Sequence, residues 1–162
     1  MLFTGEFLHT IDSKQRLAIP AEVRSRLERE KLPPTFYVVP GPNGSLWLWP
    51  EKTFETMAAD LEQSLVPGED ELAFAEATFP LARLVEIDSA GRVRVPEELL
   101  ADAGLGSSVM IIGMRDHLEL RDPESWQRDR AERRARQAEV MLRARMAMRE
   151  RRHMNGGGKD GT

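Results

Sequence analysis

The chain has 162 residues, 41% of them hydrophobic and 31% charged, with a net charge of −4 and no cysteine. That composition suits one ordinary domain or two small ones sharing a core, with a polar tail. It excludes disulfides, thiolate metal sites and thiol nucleophiles together, and no apolar run is long enough to span a bilayer. The amino terminus lacks the basic start of a signal peptide, so the sequence points to a cytoplasmic protein.

Residues 6–12 alternate as a strand, and Arg16–Ile19 forms a second strand after a tight turn. Asp12 sits where its carboxylate can bond backbone N–H groups two residues on. Pro20 closes the strand and can begin a helix carrying Val23 and Leu27. Phe36–Val39 and Leu46–Trp49 read as strands about Gly41-Pro42-Asn43-Gly44. Trp47 and Trp49 on this hairpin, read as an edge hairpin, are assigned to packing, with a subunit interface as the alternative. Phe54, Met57, Ala58, Leu61 and Leu65 fall on one stripe of an amphipathic helix ended by Pro67-Gly68, and residues 69–79 form a bridging helix.

Leu84–Ile87 begins a second round of the same order. Asp88 opens a turn in which Gly91 supplies a left-handed conformation. Arg92–Val95 is the strand after it, Leu99, Leu100 and Ala103 mark a short helix, and Gly104-Leu105-Gly106 its C-cap. Val109–Ile112 and His117–Arg121 are strands, and one long helix runs from Pro123 to about Arg152. Residues 128–152 hold ten arginines against four acids. This tail is read as a solvated helix. Non-specific DNA contact, or pairing with another subunit through Met141, Leu142, Met146 and Met148, are the alternatives. Asn155–Thr162 is glycine-rich and expected to be disordered.

The two rounds are a duplication. Asp12-Ser13-Lys14-Gln15-Arg16-Leu17-Ala18-Ile19-Pro20 answers Asp88-Ser89-Ala90-Gly91-Arg92-Val93-Arg94-Val95-Pro96 at an offset of 76. Later, Tyr37-Val38-Val39 answers Val109-Met110-Ile111, Leu46-Trp47-Leu48 answers Leu118-Glu119-Leu120, and Phe54 answers Trp126, all at 72. The first copy therefore carries a four-residue insertion, placed at residues 29–34. Gln15 stands where the second copy has Gly91, so the first turn has another geometry or bears strain. The expected organisation is a repeat over 1–66, a bridge over 67–80, a second repeat over 81–130, an Arg-rich helical extension over 131–154 and a tail over 155–162.

Chemistry is sparse. His9, His117 and His153 stand apart from one another and from any metal-ligand spacing, and no nucleophile, metalloprotease or phosphate-loop motif occurs. No catalytic residue, metal, cofactor or small-molecule substrate is assigned. The repeated phrase has two compatible readings. In one, Asp12–Arg16 and Asp88–Arg92 pin hairpin turns, with Ser13, Ser89 and Gly91 helping to shape them. In the other, the turns present Lys14, Arg16, Arg92 and Arg94 to DNA, because a two-stranded β-ribbon fits the major groove and arginine reads guanine in bidentate fashion. The objection is charge. Residues 1–120 carry 11 basic and 20 acidic residues, a balance of −9, while residues 121–152 carry +5.

The paired D-S-x-x-R-[LV]-x-[IV]-P phrases, with the first near the amino terminus, resemble the MraZ family of bacterial transcriptional regulators over about residues 1–130. The resemblance implies an α+β, mainly β fold: a duplicated AbrB-like double swapped-hairpin barrel, with flanking helices and an Arg-rich C-terminal helix. It also implies a ring-shaped homo-oligomer associated with the nucleoid, binding tandem direct repeats of double-stranded DNA in the promoter of the division and cell-wall gene cluster, usually as a repressor. The family signature falls on Asp12 and Arg16 and on Asp88 and Arg92, with Lys14 favouring the first copy as reader. The competing functions are an AbrB-like antitoxin-type DNA-binding module and a structural oligomer that binds no nucleic acid.

Overall fold

A computed structural model describes residues 1–61 and 65–156. The chain divides into two compact units, Met1–Pro123 and the segment from Glu124 onward. In the first, β1 (Glu6–Thr10), β2 (Arg16–Ala18), α1 (Ala21–Arg29), β3 (Thr35–Gly41), β4 (Ser45–Pro50) and α2 (Glu51–Ala59) form the first round. After α3 (Glu69–Thr78) and a 3₁₀ turn at Phe79–Leu81 come β5 (Arg83–Glu86), β6 (Arg92–Arg94), α4 (Glu97–Asp102), β7 (Ser108–Gly113) and β8 (Leu118–Arg121). The second unit holds α5 (from Pro123, to Ala135) and α6 (Gln137–Gly156). Residues 157–162, most of the tail expected to be disordered, lie outside the described residues.

The fold is α+β with antiparallel sheets, and its pairings are exchanged between the repeats. A six-stranded sheet runs β1-β7-β8-β4-β3-β5, and β2 pairs with β6 in a separate ribbon. Thus β1 of the first repeat lies on β7 of the second, β5 of the second lies on β3 of the first, and β4 meets β8 at the centre. The ribbon spans the two outer strands. Asp12 N–H donates to Arg16 O at 3.1 Å beside an Ile11–Leu17 bridge, and Asp88 N–H donates to Arg92 O at 2.8 Å. Each outer strand therefore passes through its turn into the β2–β6 ribbon, which links the two edges of the sheet.

Alternation along the strands sets what is inside. Leu46, Leu48, Leu118 and Leu120 of the central pair, with Phe36, Val38, Val109, Ile111, Leu17 and Val93, are almost wholly buried in one core. Burial of that many aliphatic side chains, at about 1.5–3 kcal/mol each, is the main stabilising term. The opposite sheet face carries a smaller cluster of Val39, Trp49 and Phe54 with Tyr37 and Trp47. Trp47 and Trp49 are thus packing residues on a central strand, not on an edge hairpin. His117 stacks against both, with ring centroids 4.4 and 4.2 Å away, and its Nδ1 lies 2.8 Å from Asp116 Oδ1.

Five details depart from the sequence reading. Pairing matches Phe36, not Tyr37, with Val109, an offset of 73. The first repeat gains most of its extra length inside its helix, since α1 has 9 residues and α4 has 6, with one more residue gained before β4. Helix α2 stops at Ala59 and not near Leu65. Phe54 is its one buried side chain and Leu65 is fully exposed, so nothing supports a longer helix. The C-terminal helix is broken at Arg136, whose N–H is shared between the carbonyls of Glu132 and Arg133 at 3.2 Å each. Finally, Pro20 and Pro96 occupy the position before their helices instead of the first turn; Pro50 does the same for α2.

Candidate nucleic-acid interface

Each repeated phrase folds into the same carboxylate-centred turn. Asp12 Oδ1 accepts from the backbone N–H of Lys14 and of Arg16, both at 2.9 Å, while Oδ2 accepts from Arg16 Nε at 2.7 Å. Asp88 repeats the pattern with Ala90 and Arg92 N–H at 2.9 Å and Arg92 Nε at 3.3 Å. Ser13 and Ser89 are exposed at the turn tips, and among the described residues their hydroxyls make no hydrogen bond. Only Nε of each arginine is held by its aspartate. The two terminal nitrogens of Arg16 face no partner among the described residues, which leaves the guanidinium aimed and still able to donate.

The turns are also stitched to each other. Val95 N–H donates to Gln15 O and Ile19 N–H donates to Gly91 O, both at 2.9 Å. This reciprocal bond needs a carbonyl in the same orientation on both sides. Gln15 therefore adopts the left-handed conformation of its counterpart, φ 59° against 79° for Gly91. The sequence left the first turn's geometry open, and the structure resolves it as the same geometry with a side chain that disfavours it. Replacing Gln15 by glycine should raise stability by about 0.5–1 kcal/mol, whereas Gly91→Ala should lower it by roughly 1–2 kcal/mol. Denaturant midpoints check the pair, and a shared sign would contradict the strain argument.

The ribbon places the cations on one face. Arg16 stands opposite Arg94 and Ala18 opposite Arg92, with Leu17 and Val93 between them turned into the core. Like charges directly across a β pair repel. An Arg16–Arg94 pair with no stabilising purpose of its own is what an anion-binding surface requires. Lys14 extends the same patch from the turn tip. Here four cations face two carboxylates, although residues 1–120 as a whole balance at −9.

A fifth cation was not anticipated. Arg24 of α1 donates from Nε to Ile19 O at 3.2 Å, and its guanidinium covers the second turn so closely that a methyl on Gly91 would lie 2.9 Å from its Cζ. In the repeat alignment Arg24 falls opposite Leu100, a buried side chain. A charged residue where the other copy is apolar was the available signal.

Both turn aspartates have pKa values held below the ordinary 3.8, first by the backbone N–H of Arg16 or Arg92 and then by the other donors of the turn. A lowered folded-state pKa contributes stability that is complete above the ordinary value and is lost as pH falls through the folded one. Removing both carboxylates, Asp12→Ala with Asp88→Ala, should therefore lower stability at neutral pH. It should also flatten the fall of stability below pH 4, and an unchanged acid-unfolding profile would contradict this account.

The chain is similar to known proteins along most of its length. The family model described as "MraZ protein, putative antitoxin-like" matches residues 2–73 and 78–146. The second match extends well past residue 130, so α5 and much of α6 fall within the family pattern, contrary to the expectation that the tail stood outside it. A protein of Thermomicrobium roseum named "Transcriptional regulator MraZ" is 33% identical over 125 residues, 77% of this chain and 84% of the relative. Similarly named proteins of Mesoplasma florum and Lactiplantibacillus plantarum are 34% and 33% identical over 126 residues, 78% of this chain and 84% and 86% of theirs.

Proposed function

This chain belongs to the MraZ family, and on that premise we propose that it is a sequence-specific DNA-binding transcriptional regulator, acting without cofactor or metal. The observation that carries the reading is the β2–β6 ribbon. Its outer face bears Arg16, Arg92 and Arg94 with Lys14 at the adjoining turn, and its inner face is anchored in the core by Leu17 and Val93. A ribbon of this kind fits the major groove, where an end-on guanidinium donates to O6 and N7 of guanine.

Arg16 and Arg92, oriented by Asp12 and Asp88, are the base readers, and Lys14 and Arg94 contact phosphates. One acidic subunit offers too few cations for useful affinity. Several copies in a ring, meeting tandem direct repeats, answer that objection because later contacts form at high effective concentration. The finer reading is a cytoplasmic, nucleoid-associated repressor that binds repeats in the promoter of its own gene within the division and cell-wall cluster. The alternative of an antitoxin-type module draws on the family's description as antitoxin-like; a partner toxin co-purifying in a heteromeric complex would favour it.

The roles separate under mutation. Lys14→Ala and Arg94→Ala should weaken binding to operator and unrelated duplex alike, each reducing the slope of log K against log salt by about 0.9. Preference for operator should stay intact. A selective loss of operator binding would reassign these residues to base reading.

A further inference from the structure

On the sheet face opposite the core, between β3, β4, α2 and α3, lies a recess of about 380 Å³. Its lining is aromatic and aliphatic, including Trp49, Phe54, Met57, Leu61, Phe74 and Phe79. The rim is open to solvent: Phe74 is 52% exposed and Leu61 43%. Helix α3, which forms one wall, buries none of its residues, yet it carries Glu69, Asp70, Glu71 and Glu76 and no basic residue. A ten-residue helix that buries none of its residues, and that presents Phe74 against Phe79 beside four exposed carboxylates, Glu71 accepting from Gly68 N–H at the helix's own start, is half of an interface.

Helix α6 has the complementary chemistry. Met141 and Met148 are more than half exposed. With Ala144 they fall at i, i+3 and i+7, one stripe of the helix, and Arg145 and Arg152 border it. Methionine adapts to irregular apolar spaces and makes favourable sulfur contacts at aromatic edges. Over its 20 residues α6 has five arginines against two glutamates. Within a single chain the rim of the recess, at Met57, Leu61, Phe74 and Phe79, and the methionines of α6 are exposed, while Trp49 and Phe54 form the buried floor.

We propose that the recess takes α6 of a second copy, with the methionine stripe against Trp49, Phe54, Phe74 and Phe79 and the flanking arginines beside the carboxylates of α3. The contact joins acidic and basic surfaces of identical chains head to tail, a relation that yields a ring where the rotation between copies closes. It rests on the reading that several copies assemble, and it does not depend on DNA.

The test uses the full chain and sedimentation velocity, with near-UV and tryptophan spectra as the record of folding and of the recess. Asp70→Lys with Glu71→Lys, and separately Arg145→Glu with Arg152→Glu, should each shift the wild-type oligomer to smaller species. An equimolar mixture of the two reversed chains should recover larger species, because each recess then meets a tail of opposite charge; recovery also rules out misfolding as the cause. If the wild-type protein assembles and both variants assemble as it does, the surface is wrong while the assembly reading survives. A wild-type monomer at all concentrations overturns both. If the variants alter tryptophan emission without changing particle mass, the recess is covered by the chain's own tail, and the second-copy assignment falls.

Discussion

Arg16→Ala should remove sequence-specific DNA binding and leave the folded chain and its assembly as they were. Arg16 is the one side chain in the first turn whose guanidinium is both aimed, through Nε on Asp12 Oδ2, and left with two terminal nitrogens to donate. A bidentate arginine–guanine contact carries about 1–3 kcal/mol of discrimination, so the loss is roughly 5- to 150-fold for each engaged copy. Several copies on one duplex multiply that loss toward complete failure. The Asp12 carboxylate keeps its two backbone donors from Lys14 and Arg16 in the variant, so the turn itself should persist. Anisotropy titrations on operator and scrambled duplexes, with far-UV spectra and sedimentation as controls, check the result. Operator affinity within twofold of wild type would remove Arg16 from the reading role, and unfolding would make the Asp12–Arg16 pair structural first.

The second large effect concerns the DNA. A duplex with a single repeat should bind about 10²–10⁴-fold more weakly than one with several repeats in correct phase, at the same salt. The reason is electrostatic scarcity. Four cations on a ribbon belonging to an acidic unit cannot hold one site tightly, but an array of such ribbons engages later repeats without diffusing to them. Inserting half a helical turn between repeats should produce most of the same loss. Equal affinity for one and several repeats would mean that each subunit binds alone.

The sequence showed this protein most clearly where it repeats itself. The duplication predicted two rounds of strand, turn, strand and helix, and both are present, because alternation and turn chemistry are local. The exchange of strands between the rounds could not be read from any window, since β1 finds its partner about a hundred residues away on β7. Tyr37 was matched to Val109, one residue off, because all four extra residues were placed at residues 29–34, whereas one of them lies between β3 and β4. Helix α2 was drawn too long for a different reason: its apolar stripe continued to Leu65, which is fully exposed.

The interface divided in the same way. Asp12, Arg16, Asp88 and Arg92 were visible as a spaced pattern, and their hydrogen bonds are the ones that spacing allows. Opposition of Arg16 to Arg94 required the ribbon register, and cover of the second turn by Arg24 required tertiary contact. Gln15 carried a correct warning, since its left-handed backbone is the strain that a non-glycine residue signals there.

The most direct measurement is the affinity of the wild-type protein for the DNA upstream of its own gene, titrated across a salt series beside an unrelated duplex of equal length. The account predicts tight binding to the upstream DNA and weaker binding to the control, with log K falling linearly in log salt by about 0.9 for each phosphate neutralised. Failure to bind either duplex at low salt, or equal affinity for both, would contradict it.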